Sequence, residues 1–411
     1  MKITSINRKI PIESIENNEI FIENESDKNS KNIIESLDVL ATKINAKFHS
    51  YGVNRSSIKT LTIFVKSLED FYNNADEIDK LLRFKLAGNI GEVALVESET
   101  VALEAAIVRE PLSNEVIFRG YTKTALFDQY YTFLTAPDAP QIIRNWVNTQ
   151  PSPDCDKTEM VFGDSAYHHS LDLFTPKQRN KKLPLLIHIH GGYWQYTDKE
   201  IYIKIANSFT QSGVAVANLN YPQAPDVPMS EIIDSCRKGI RALFLAAEEY
   251  GIDSNAITVV GHSAGAHLAA MMGLTNWSML DPAMPRNIFQ TVIGFSGLYD
   301  LEPLSIVMRD RLKLDLTQLK DTSPIHCGAV EPVDFHLYVG KNESDEFQRQ
   351  TDIFLEYIHS NGMLGSKVVL PNKNHFSAVD EFYSESTQTF FDCLDLILEK
   401  NEKEKNEDEE M

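Results

Sequence analysis

The sequence predicts a doubly wound, mainly parallel α/β domain over residues 116–399, preceded by a small α+β domain over residues 1–115. Three observations carry the larger prediction. Short apolar runs recur at Leu183 to His190, Val214 to Leu219, Ile257 to Val260, Thr291 to Phe295, Val333 to Val339 and Lys367 to Leu370; runs rich in Val, Ile and Leu suit strands buried on both faces, as parallel strands are. Helical sequence separates them: Ile232, Ile233, Cys236, Ile240, Leu243 and Phe244 fall at a spacing that puts them on one helix face, able to cover the sheet. Every candidate chemical group lies just after one of these strands, at the carboxyl edge where open α/β sheets bind ligands. The first strands of this domain are expected within Val161 to Phe174, after helical pieces in Tyr121 to Val147.

Length and composition bound the rest. At 411 residues the chain exceeds the size at which a single core usually stops growing, so two domains are expected, and 43% hydrophobic residues can supply both cores. A formal net charge of −20 argues against nucleic acid or a membrane surface as partner. Part of that charge lies in residues 400–411, a Lys/Glu/Asn mix expected to be a disordered tail. Met1 to Ser14 lacks the apolar core of a secretion signal, and no run approaches the roughly twenty apolar residues of a spanning helix. A soluble, cytoplasmic protein is expected. Cys155, Cys236, Cys327 and Cys393 stand far apart, which predicts four reduced structural thiols and neither a zinc site nor a redox dithiol.

Residues 1–115 read as a strand at Glu19 to Ile22, a helix from about Ser30 to His49, a strand at Ile58 to Val65, a helix from about Leu68 to Leu82, and strands near Ile90 to Val96 and Thr100 to Val108. That order makes a layer of helices on one sheet. Ile58-Lys59-Thr60-Leu61-Thr62-Ile63-Phe64-Val65-Lys66-Ser67-Leu68-Glu69-Asp70-Phe71, with Leu103-Glu104-Ala105-Ala106-Ile107, resembles the RidA family, trimeric deaminases of reactive imines and enamines, over most of residues 19–110. The resemblance implies a chorismate-mutase-like α+β fold and a homotrimer formed through this domain. Glu104 matches the family's acidic residue, but the position of its substrate-gripping arginine falls near Gly88, and its glycine-rich N-terminal segment is missing. Arginine offers a carboxylate a planar bidentate contact that glycine cannot, so a non-catalytic scaffold is expected. Glu110-Pro111-Leu112-Ser113-Asn114 is the expected linker.

The chemistry concentrates in the larger domain. Ala256-Ile257-Thr258-Val259-Val260 runs into Gly261-His262-Ser263-Ala264-Gly265, and helical sequence follows. A serine between two glycines at a strand-to-helix junction forms a nucleophile elbow, with its hydroxyl at the positive end of the helix. Alone the pattern is weak, since chance yields it in roughly one chain in seven of this length, so its companions decide. After the strand ending at Ile189, His190-Gly191-Gly192-Tyr193-Trp194 places two glycines where the backbone can turn N–H groups toward a shared point. With the N–H of Ala264, Gly191 and Gly192 would make an oxyanion hole. Tyr193 and Trp194 are candidates for an aromatic wall against the substrate.

A serine hydroxyl needs a base, and the chain order serine, acid, histidine puts that base in the loop Pro371-Asn372-Lys373-Asn374-His375-Phe376, as His375. His262 and His267 flank the elbow, His188 lies in a strand, His168 and His169 precede one, and His326, His336 and His359 lack a matching loop position. The acid is expected after the strand Val333 to Gly340, where Glu343, Asp345 and Glu346 crowd one window. Glu343 is nearest the strand end and is preferred; Asp300 is the other candidate. No metal or organic cofactor is required.

The set His190-Gly191-Gly192-Tyr193-Trp194, Gly261-His262-Ser263-Ala264-Gly265-Ala266-His267-Leu268-Ala269-Ala270-Met271, Ser296-Gly297-Leu298-Tyr299-Asp300-Leu301-Glu302-Pro303-Leu304 and Glu343-Ser344-Asp345-Glu346-Phe347-Gln348-Arg349-Gln350 resembles the α/β-hydrolase arylformamidases, also called kynurenine formamidases. The likeness runs from about Tyr121, through Gln129-Tyr130 and Pro137 to Trp146, to near Glu399. It implies the α/β-hydrolase fold, hydrolysis of an aromatic formamide such as N-formyl-L-kynurenine, and a triad acid at Glu343. It departs at Tyr221-Pro222-Gln223-Ala224-Pro225, where a leucine commonly precedes Ala-Pro in relatives; an altered pocket lining is expected there. The alternatives are a carboxylesterase using the same triad on short-chain or aryl esters, and a hydrolase-fold binding or scaffold protein without turnover.

Overall fold

A computed structural model describes residues 115–398 apart from 180, 315, 316 and 329–332, together with five strands and five helical positions among the first 114 residues. The chain divides into two compact units, Met1–Thr124 and Ala125–Met411. This boundary lies beyond the expected one at residue 115, since β6 (Val116–Phe118) and β7 (Tyr121–Thr122) fold on themselves as a hairpin within the first unit.

In the first unit β1 (Glu13–Glu16), β2 (Glu19–Glu25), β3 (Ser57–Val65), β4 (Asn89–Glu97) and β5 (Ala102–Val108) form a sheet in the order β1-β2-β5-β3-β4. All pairs are antiparallel except β3 with β4. The four expected strands are present. β1 is an addition, and its Glu-Ser-Ile-Glu sequence has too little apolar content to announce a strand. Ile33, Ser36, Leu37, Leu40 and Ala41 are helical and buried, at the three- and four-residue steps that keep one helix face inward. The expected helix over Leu68 to Leu82, the position near Gly88 and the tail 400–411 lie outside the described residues.

The second unit is built on eight strands: β8 (Cys155–Val161), β9 (Ser170–Pro176), β10 (Leu183–Ile189), β11 (Ala215–Leu219), β12 (Ile252–His262), β13 (Thr291–Phe295), β14 (Asp334–Gly340) and β15 (Gly365–Leu370). Their order is β15-β14-β13-β12-β10-β11-β9-β8. Every pair from β15 to β11 is parallel, while β9 and β8 run antiparallel at one edge. This is the mainly parallel sheet the apolar runs predict.

The principal helices are α1 (Lys123–Tyr130), α2 (Ala139–Val147), α3 (Ile203–Gln211), α4 (Met229–Leu245), α5 (Ala264–Gly273), α6 (Asp345–Ser360), α7 (His375–Phe382) and α8 (Gln388–Leu398). They cover both sheet faces. On one, Leu186, Val216, Val260, Ile293 and Phe295 meet Phe209 of α3, Phe382 of α7 and Phe390 of α8 in a single core. The alternate strand residues Leu219 and Val292 face the other way, against Gly239 of α4 and Gly273 of α5, as the two-residue period of a strand requires. In α4, Ile232, Ile233, Cys236, Ile240 and Leu243 are buried as expected, and only Phe244 is partly exposed. All four cysteines are free. Among the described residues no helix is long and apolar enough to cross a membrane.

Candidate active site

β12 delivers Ser263 at the carboxyl edge of the sheet, and α5 begins at the next residue. Ser263 has φ 56° and ψ −118°, a left-handed conformation that a side chain rarely adopts and that costs about 1–3 kcal/mol. Its neighbours permit the turn because they lack side chains. A Cβ on Gly261 would lie 2.1 Å from the Gly265 carbonyl oxygen, and one on Gly265 would lie 2.0 Å from that of Ile189. The Ser263 N–H donates to the Phe295 carbonyl at 2.8 Å, which ties the turn to the end of β13.

Glu343 and His375 come from the turns after β14 and β15. His375 opens α7, whose start is held by Asn374 and Ser377 in a reciprocal capping box, and Asn374 Nδ2 in turn donates to Asp138 at 2.6 Å. His375 Nδ1 lies 2.7 Å from Glu343 Oε2, and both side chains are buried. An ionised carboxylate only accepts, so the ring proton sits on Nδ1 and the Nε2 lone pair is free to act as a base. Glu343 Oε1 accepts from the Gly340 N–H and the Ser296 hydroxyl, each at 2.6 Å.

His262, adjacent to Ser263, donates from Nε2 to the His375 carbonyl at 2.9 Å, and the two rings lie 4.5 Å apart. Burial, and then the proximity of His375, hold His262 well below its usual range and therefore neutral. Among the described residues no hydrogen bond joins the Ser263 hydroxyl to the His375 ring; bonds of this kind are often long in a free enzyme and tighten with substrate.

The carboxylates left open by the sequence occupy separate environments. Asp345 is exposed at the start of α6. Glu346 binds Arg349 and accepts the Tyr130 hydroxyl at 2.8 Å. Asp300 takes Arg349 Nη1 at 3.0 Å and the Glu302 N–H, also at 3.0 Å. Only Glu343, among these, bonds to His375. The other histidines near the elbow are spent on structure: His267 takes the Trp194 indole N–H at 3.2 Å and donates to the Thr322 carbonyl at 2.6 Å. Burial pushes His267 down to about 4 and His188 down to about 3.

The loop after β10 passes directly beside the elbow: a Cβ on Gly191 would lie 2.8 Å from the His262 carbonyl oxygen and 3.4 Å from Ser263 Cβ. The Gly191 carbonyl accepts from His190 Nδ1 at 2.9 Å and from the Thr197 hydroxyl at 3.0 Å, and the Tyr221 hydroxyl donates to the His190 carbonyl at 2.8 Å. In a planar trans peptide the N–H points opposite to the C=O, so pinning these two carbonyls outward aims the Gly191 and Gly192 N–H groups the other way. Positive φ angles at Gly192, Tyr193 and Trp194 (101°, 52° and 57°) make the sharp turn that follows. Among the described residues no acceptor takes the N–H of Gly191, Gly192 or Ala264. These donors can hold a developing oxyanion.

The expected aromatic wall is corrected at Trp194. Trp194 is fully enclosed, edge-on to His267, and its indole N–H is committed to that ring, so it supports the loop instead of facing a substrate. Tyr193 is half-buried and donates its hydroxyl to the Tyr130 carbonyl, tethering the loop to α1. The segment Tyr221 to Pro225 also braces this loop: the Ala224 N–H bonds the Trp194 carbonyl at 2.8 Å, and Gln223 Nε2 bonds that of Thr197 at 2.7 Å. This segment therefore supports the loop from behind. The sequence assigns no role to Ser296 or Thr197 and does not announce the bond from the Tyr221 hydroxyl to the His190 carbonyl; the Ser-Gly pair following β13 was the available signal for the first.

The BD-FAE family model matches residues 171–333. A kynurenine formamidase of Danio rerio is 30% identical over 241 residues, 56% of this chain and 77% of its own length. The chain belongs to the kynurenine formamidase family. Another kynurenine formamidase, of Salmo salar, is 31% identical over 220 residues, 51% of this chain and 72% of its own. Among solved structures, esterase B of Lactobacillus rhamnosis superposes with a TM-score of 0.54 at 20% identity, covering 69% of this chain and 99% of that one, which shows the fold alone. Membership of the kynurenine formamidase family makes the protein a hydrolase and removes the alternative of a scaffold without turnover.

Proposed function

We propose that the second unit is a serine hydrolase acting on N-formyl aryl amides, with N-formyl-L-kynurenine as substrate and kynurenine and formate as products. The 2.7 Å bond between His375 Nδ1 and Glu343, beside the Ser263 turn, carries this reading. Ser263 Oγ attacks the formyl carbon while His375 Nε2 takes its proton, and Glu343 stabilises the imidazolium. The oxyanion rests on the N–H groups of Gly191, Gly192 and Ala264. His375 then protonates the departing aryl amine as the C–N bond breaks, and water, deprotonated by the same ring, releases formate from Ser263. An aryl amine leaves readily because its lone pair is delocalised into the ring, so an esterase-like site suffices.

Steady-state rates on formylkynurenine and p-nitrophenyl acetate test the substrate: kcat/KM is expected to favour the formamide, and a large preference for the ester would instead identify a carboxylesterase. For the first unit we propose a RidA-like, non-catalytic domain; its fold is supported by the buried helical positions Ile33, Ser36, Leu37, Leu40 and Ala41 and by the five-stranded sheet that contains Glu104. It predicts a homotrimer by light scattering, and a monomer would reject that assembly.

A further inference from the structure

The end of β13 touches both halves of the site. The Phe295 carbonyl accepts the Ser263 N–H at 2.8 Å. The next residue, Ser296, is fully buried, holds φ 52°, and is anchored by its own N–H to the Tyr338 carbonyl at 2.7 Å. Its hydroxyl lies 2.6 Å from Glu343 Oε1. A hydroxyl has one proton and a carboxylate none to give, so Ser296 is the donor.

We propose that Ser296 is a positioning residue for hydrolysis: its hydroxyl fixes the plane of the Glu343 carboxylate and shares its charge, so that Oε2 stays aimed at His375 Nδ1. The inference rests on the triad reading above. Two donors converge on Oε1, Ser296 and the Gly340 N–H, and they set the carboxylate from the side opposite the histidine. A buried carboxylate short of one donor would turn toward any other, His375 included.

The charged and titratable surroundings leave this role to Ser296. His262 packs on His375 and is neutral. Glu346, Arg349 and Asp300 pair among themselves. Lys373 pairs with Glu381, Asp138 accepts from Asn374, and Lys341 and Asp345 are exposed.

The test is the pH profile of kcat/KM for Ser296→Ala and Ser296→Gly, using whichever of formylkynurenine and p-nitrophenyl acetate the wild type turns over faster. Loss of a donor to the anion makes the Glu343–His375 pair hold its proton more tightly. The acid limb is expected to move up by about half to one pH unit, with kcat down roughly tenfold and KM unchanged. Glycine suits φ 52°, so Ser296→Gly carries the test should the alanine variant fail to fold. A loss of rate with the acid limb unmoved, or no loss, overturns the proposal. Fluorophosphonate labelling that persists in Ser263→Ala would instead overturn the triad reading.

Discussion

Glu343→Gln is expected to lower kcat about 10⁴-fold, at least as far as Glu343→Ala, although glutamine nearly matches glutamate in shape. The reason lies at Oε1. The Gly340 N–H, 2.6 Å away, can only donate, so the amide oxygen of glutamine must take that position. Its NH2 group then faces His375 Nδ1, which can receive it only as a lone pair. The ring proton moves to Nε2, and the imidazole can no longer accept the proton of Ser263. Alanine imposes no such tautomer and leaves the ring free to choose, so a loss nearer 10³-fold is expected there. Steady-state kinetics on both variants, with thermal melts to show that each is folded, decide the matter. A glutamine variant clearly more active than the alanine one would mean that Glu343 does not orient the ring through Nδ1.

Much of the fold was legible because parallel strands covered on both faces must be continuously apolar. The run Thr291 to Phe295 has the same limits in sequence and structure, while β12 begins five residues before its apolar core, where Ile252 pairs with Leu183 ahead of a break in register and the polar Asp253-Ser254-Asn255 gives no apolar signature. The places of Ser263 and His375 after their strands were legible from chain order, and the structure adds the 2.7 Å bond from His375 to Glu343. The acid was not separable by position alone: Glu343, Asp345 and Glu346 share one window, and what distinguishes them is the partner each meets across the fold. The roles of Ser296 and Tyr221 were hidden for the same reason, since their hydroxyls act on atoms 47 and 31 residues away. Trp194 was misplaced because its neighbours in sequence are at the site, whereas its indole points back to His267. In the first unit, alternation sufficed for four strands, but Glu13-Ser14-Ile15-Glu16 gains its strand from pairing with β2 and not from its own composition.

Gly265→Ala is expected to cost more stability than any exposed substitution and to abolish turnover. The added Cβ would lie 2.0 Å from the Ile189 carbonyl oxygen and 2.6 Å from that of His190. Neither can retreat cheaply. Ile189 is paired to Leu219 on one side and Gly261 on the other, and the His190 carbonyl is held by Tyr221. Either α5 must lift from the sheet or the His190–Trp194 loop must move, and both separate the Gly191 and Gly192 N–H groups from Ser263. Overpacking against backbone is worth about 3 kcal/mol or more, which corresponds to a fall of about 10 °C in Tm for a domain of this size. Gly362→Ala is the matched control: φ there is 74°, but its Cβ would meet nothing within 4 Å, so only the backbone term of about 1 kcal/mol applies. Thermal melts and ester hydrolysis on the two variants separate close approach from conformational strain. If Gly265→Ala melted within about 2 °C of Gly362→Ala and kept its activity, the contact between the oxyanion loop and the start of α5 would not be what brings the serine and its N–H donors to one point.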